Sequence, residues 1–112
     1  MIKYERHEFL ELFDEERIEN QELQNVTYVL NTKDGFIFRL QLIGSENCAL
    51  AVLEYPQQQK EPIFEVELTE LGKITTDQKF LSFFKQNKMQ WCDDPFIRMQ
   101  VKPFIGFSHT IE

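Results

Sequence analysis

Residues 26–43, VTYVLNTKDGFIFRLQLI, decide how the rest of the chain is read. Val26, Tyr28 and Leu30 alternate with Thr27 and Val29, and Lys33-Asp34-Gly35 then supplies the residues of a tight turn. Phe36, Phe38, Leu40 and Leu42 follow on one face, with Ile37, Arg39, Gln41 and Ile43 on the other. A period of two on both sides of a turn predicts a β-hairpin with one buried face.

Toward the C-terminus the same grammar continues. Gly44-Ser45-Glu46-Asn47 reads as the next turn, and Cys48–Tyr55 is apolar on both faces, which predicts a central strand covered on both sides. Residues 56–62, between Pro56 and Pro62, read as an exposed loop. Ile63–Thr69 follows as a fourth strand, with Phe64, Val66 and Leu68 inward and Glu65 and Glu67 outward. These segments make an antiparallel meander.

Thr75-Thr76-Asp77-Gln78 has the Thr-x-x-Gln spacing of a capping box and predicts a second helix. Phe80, Leu81, Phe83 and Phe84 would form its apolar face, with Lys85 and Lys88 at its C-terminal end. Trp91–Pro95 reads as a loop. Ile97, Met99 and Val101 alternate with polar residues as a fifth strand, and Phe104–Phe107 follows Pro103 as a short edge strand.

On the N-terminal side, Phe9, Leu12 and Phe13 recur at helical spacing, widened by Leu10 and extended by Ile18. They predict a helix from residue 5 to about residue 24. Glu8, Glu11, Glu15, Glu19 and Glu22 would line one side of it. The fold expected is therefore α+β: a mostly antiparallel sheet of five or six strands, with an N-terminal helix and a second helix packed on one face. No repeat or Gly/Ser/Pro linker divides the sequence, so residues 1–112 read as a single domain.

Composition narrows function. Of 112 residues 42% are apolar, and 12 bases stand against 19 acids for a net charge of −7. Eight of those acids, against three bases, fall within residues 1–25. Such a balance argues against binding a phosphate backbone and permits a basic partner. The charged start and the short apolar run Ala49–Leu53 fit neither an export signal nor a membrane helix of about 20 residues. A cytoplasmic protein with reduced Cys48 and Cys92 is expected.

No catalytic, cofactor or metal site is expected. His7, Cys48, Cys92 and His109 are scattered singly, without metal-ligand spacing. Asp93 and Asp94 beside Cys92 would raise a thiol pKa, the wrong field for a nucleophile. Four separated glycines form no phosphate cradle. Acidic surface remains: the Glu8, Glu11, Glu15, Glu19 and Glu22 stripe, the strand acids Glu54, Glu65 and Glu67, and the Asp93-Asp94 pair. Either these faces are merely solvated, or they match a basic protein, where complementary charge raises on-rate and specificity.

In length, acidity and its meander of Phe36–Ile43, Cys48–Tyr55 and Ile63–Thr69, the chain resembles the small acidic immunity proteins of bacterial toxin–immunity pairs of the contact-dependent inhibition type. The resemblance implies a non-enzymatic monomer or dimer that neutralises one cognate toxin, with a basic nuclease domain as the expected partner. A phage-type inhibitor of a host nuclease would share this physics. So, more distantly, would a small-ligand module with a Phe-lined pocket, or a scaffold that homodimerises near Phe104–Phe107.

Overall fold

In the computed structural model the chain is described for residues 1–56, 61–86 and 95–101, and as backbone for 106–109. A short helix, α1 (Arg6–Leu12), is followed by nine strands: β1 (Glu15–Asn20), β2 (Asn25–Asn31), β3 (Ile37–Ile43), β4 (Cys48–Glu54), β5 (Phe64–Leu68), β6 (Leu71–Thr76), β7 (Phe80–Lys85), β8 (Ile97–Gln100) and β9 (Gly106–His109). They form two antiparallel meanders, a five-stranded sheet in the order β1-β2-β3-β4-β5 and a four-stranded sheet in the order β6-β7-β8-β9. The architecture is α+β, with strands dominant.

The central hairpin behaves as its sequence predicts. Val26, Tyr28 and Leu30 of β2 pair with Leu42, Leu40 and Phe38 of β3, and all six are buried. Between them Thr32 closes the turn by donating its N–H to the Phe36 carbonyl (2.9 Å) and accepting the Phe36 N–H on its hydroxyl (3.0 Å). Gly35, at φ 92°, occupies backbone space that side chains disfavour. Ala49 and Ala51 of β4 and Leu68 of β5 complete the inner face. The far side of β4 departs from expectation. Leu50 and Val52 are only half-buried there, so the strand is covered fully on one face rather than on two.

Two expected helices are corrected. The N-terminal one ends at Leu12, because Phe13 turns extended and the next residues pair with β2. Asp14 donates its N–H to the Val29 carbonyl (2.8 Å) and accepts the Asn31 N–H on its carboxylate (2.7 Å). Glu15–Asn20 is thereby zipped on as an edge strand. The second helix is absent, and Thr75-Thr76-Asp77-Gln78 belongs to the β6–β7 hairpin. Asp77 Oδ1 accepts the N–H groups of Lys79 and Phe80, each at 2.8 Å, which is a turn rather than a helix cap. Leu81 and Phe83 then alternate inward against Met99, Ile97 and Ile74 at the period of a strand. The expected edge strand at Phe104–Phe107 corresponds to β9 at 106–109, while Phe104 itself lies outside the described residues.

One core joins the two sheets. Phe9, Leu12 and Phe13 pack with Tyr28 and Leu40 of the first sheet and with Leu71, Leu81 and Phe83 of the second in a single buried cluster. The first residues strap these layers together. Lys3 donates to the Gly72 carbonyl (3.0 Å) and accepts from Ile74 (2.9 Å), a parallel bridge onto β6. Ile2 is held at two points by the Gln24 side chain, which accepts its N–H (2.8 Å) and donates to its carbonyl (2.7 Å). That side chain lies where a Cβ at Gly44 would fall, 1.7 Å from its Oε1, so the clamp needs glycine there.

Candidate functional site

The structure breaks the expected Glu8–Glu22 stripe into parts. Glu8 and Glu11 lie on α1, Glu15 and Glu19 on β1, and Glu22 in the β1–β2 turn. Asp93 and Asp94 lie outside the described residues. The remaining acids fall into three settings with different chemistry.

The first is an open cleft of about 560 Å³ between α1 and the β6–β7 turn, lined by Glu8, Glu11, Leu12, Thr76, Asp77 and Gln78. Asp77 is the residue that sequence reading missed here, since it was assigned to a helix start. The N–H groups of Lys79 and then of Phe80, opposed by partial burial, hold its carboxyl below the usual carboxylate range. It therefore stays anionic through mild acid. Three carboxylates lining one open recess suit a cationic side chain.

The second setting is a polar network at the β1 edge, also unread from the sequence. Glu16 points inward from β1 beside Tyr28, its register partner. The Arg6 guanidinium grips its carboxylate with two N–H donors, at 2.8 and 2.6 Å, and the Tyr28 hydroxyl donates to it at 2.8 Å. With its one proton committed to Glu16, Tyr28 accepts from the Tyr4 hydroxyl at 3.1 Å. The Arg6 hydrogen bonds lower the Glu16 pKa, and Glu16 raises that of Arg6 in turn. Burial, then its hydrogen bonds to Tyr4 and Glu16, pushes the Tyr28 phenol well above its ordinary value, so it stays protonated. A cleft of only about 80 Å³ adjoins these groups. Three donors, two from Arg6 and one from Tyr28, converge on the one Glu16 carboxylate, which makes the network a latch between α1, β1 and β2.

The third setting is the outward face of the five-stranded sheet. Here Glu15 pairs with Arg17 at 2.8 Å, and Glu54 with Arg39. Glu65 and Glu67 stand exposed on β5, opposite Val52 and Leu50, with no ion pair among the described residues. The basic residues of the second sheet are differently engaged. Lys73, Lys85 and Arg98 lie 4.4, 4.6 and 4.3 Å from the ring centroids of Phe84, Phe96 and Phe80. Each cation shields a half-buried ring from water, a favourable contact of about 0.5–1 kcal/mol at exposed sites.

Among the described residues no cluster of three His, Cys, Asp or Glu side chains is arranged to hold a metal ion. Cys48 is a buried thiol whose pKa is raised by burial first, then by Glu46 and Glu67, opposite to what a nucleophile requires. No helix of the described residues is long and apolar enough to cross a membrane. No protein-family model, curated protein or solved structure matches the chain.

Proposed function

We propose that this chain is a non-enzymatic protein-binding module that neutralises a basic partner, in the manner of an immunity protein covering the active site or a nearby surface of a nuclease toxin. The observation that carries this reading is the cleft between α1 and the β6–β7 turn, where Glu8, Glu11 and Asp77 face one concavity over Leu12. A nuclease surface is rich in lysine and arginine because it binds phosphate, and such side chains match a carboxylate-lined recess. The same lining disfavours an apolar small ligand and opposes nucleic acid. On this reading the chain works in the cytoplasm without cofactor or metal, and a phage-type inhibitor would use the same cleft.

The test is functional. Affinity capture at low and high salt should recover one stoichiometric basic protein, released as salt rises. Adding the purified chain should then inhibit that protein's own activity, and Glu8→Lys with Glu11→Lys, both on α1 and neither buried, should relieve the inhibition while leaving the fold intact. A captured partner whose activity is indifferent to the chain would sink the proposal.

A further inference from the structure

The whole-chain charge of −7, which argues against a polyanion, is not spread evenly. Residues 1–70 hold 15 acids and six bases, a net of −9, whereas residues 71–112 hold four acids and six bases, a net of +2. The division falls between β5 and β6, the strands that end the first sheet and open the second.

Leu81 and Phe83 of β7 turn into the core, so Phe80, Ser82 and Phe84 stand on the opposite face of the second sheet. Register places Lys73 of β6 beside Phe84, and sets Thr75 and Arg98 on either side of Ser82. Lys73 Nζ lies 4.4 Å from the Phe84 ring centroid, and the Arg98 guanidinium carbon lies 4.3 Å from that of Phe80. Both cations are exposed and both rings are half-buried. Among the described residues neither cation has an ion pair, and Asp77, whose carboxyl feels the charge of Arg98, makes none with it. Two phenylalanines turned away from the core, each topped by an unneutralised cation, fit a ligand that is anionic and flat at once.

We infer that this face binds a single strand of nucleic acid, with phosphates on Lys73 and Arg98 and bases on Phe84 and Phe80. A phosphate that draws a cation off its ring leaves that ring to the neighbouring base. The exposed guanidinium of Arg98 offers a further plane on which a base stacks. Carboxylates from an acidic peptide, or from the acidic half of a second copy, would satisfy the cations alone, and a duplex keeps its bases stacked inside. The face shares no residue with the acidic cleft, so the inference stands apart from the neutralising function.

The probe is a fluorescent oligothymidylate of about 12 nucleotides, titrated with the full chain at low and high salt. Binding is expected at low salt and should weaken as salt rises. Phe80→Leu with Phe84→Leu keeps apolar bulk on β7 and should weaken binding about tenfold, because the stacking faces are lost. Lys73→Gln with Arg98→Gln should also weaken it and flatten its salt dependence, with the far-ultraviolet circular dichroism unchanged. Amide shifts in the isotope-labelled chain should centre on Lys73, Ser82 and Arg98. No binding at low salt overturns the inference, as does poly-glutamate or duplex DNA bound as tightly as the single strand. Undiminished affinity in the phenylalanine double variant overturns it too. So does sedimentation as a dimer that Lys73→Gln with Arg98→Gln abolishes, which would give the face to a second copy.

Discussion

The five-stranded sheet has two edges, and they are finished in opposite ways. At β1 the charges are internally matched: Glu16 is held by Arg6 and Tyr28, Glu15 by Arg17, and the Tyr4 hydroxyl reaches Tyr28 behind them. At β5 two exposed glutamates face water with no ion pair among the described residues. The first edge is bound to its own chain by matched charges, whereas the second carries two exposed carboxylates. Satisfied charges hold structure together, while unsatisfied ones at a surface select a partner.

Substitutions can break this contrast, most strongly at the latched side. Phe9 has 0% exposure and contacts the rings of Tyr4, Phe13 and Tyr28. Phe9→Ala should cost about 3–5 kcal/mol in denaturant unfolding, whereas Glu65→Gln with Glu67→Gln should stay within about 0.5 kcal/mol. Comparable losses at both edges would mean that the edges do not differ in kind. Tyr28→Phe keeps the packing but removes the hydroxyl between Tyr4 and Glu16. Thermal and urea unfolding should register about 1–2 kcal/mol of destabilisation.

Acid offers a sharper probe of the latch. The folded pKa of Glu16 lies below its usual value of 4.5, so its stabilising effect is complete above that pH and is lost as pH falls through the folded value. The stability difference between the native chain and Glu16→Gln should therefore be constant near neutrality and shrink on acidification below about 4.5. A difference that stays constant down to strong acid would show that the carboxylate charge contributes nothing there.

The smallest effect reads the β5 edge from within. Glu46 and Glu67 help to raise the Cys48 thiol above its ordinary pKa, after burial. In a Cys92→Ser background, Glu67→Gln should modestly quicken alkylation of Cys48 at mildly alkaline pH, because a larger thiolate fraction reacts. An unchanged rate would mean that the field of Glu67 does not reach beyond its own strand.

What was legible in the sequence followed from how strictly each segment alternates. Strands β2, β3 and β5 were readable because their inward residues come every second position between clear turns, as in Phe38, Leu40 and Leu42; β4 was readable as an apolar run, though its second face is only half-buried. β1 was not. Glu15-Glu16-Arg17-Ile18-Glu19-Asn20 is poor in strand-forming residues, and its acids happen to continue a helical spacing. Its state is settled by long-range pairing with β2, which no local window contains. A faint signal was present at Asn20, whose side chain accepts the Leu23 N–H at 3.0 Å and opens the β1–β2 turn.

At β6–β7 the Thr-x-x-Gln spacing was overvalued. Asp77 between those residues was the working turn former, and the phenylalanines and β-branched threonines around it favour strands. The candidate sites fared similarly. Exposed acids on alternating strands were readable, whereas Asp77 joining Glu8 and Glu11, and Glu16 meeting Arg6, depend on how distant segments fold back.

The strap at Lys3 has a consequence for how the protein comes into being. Strands β2 to β5 each pair with the strand made just before, so they can zip up in the order in which the ribosome delivers them. Lys3 is synthesised before the first sheet, yet the strand it bridges, at Gly72 and Ile74, emerges only after the whole of that sheet. Until then the buried face of the nascent meander lacks its second layer. The segment made before the first sheet is the one kept waiting, since its bridge cannot form until β6 has been made.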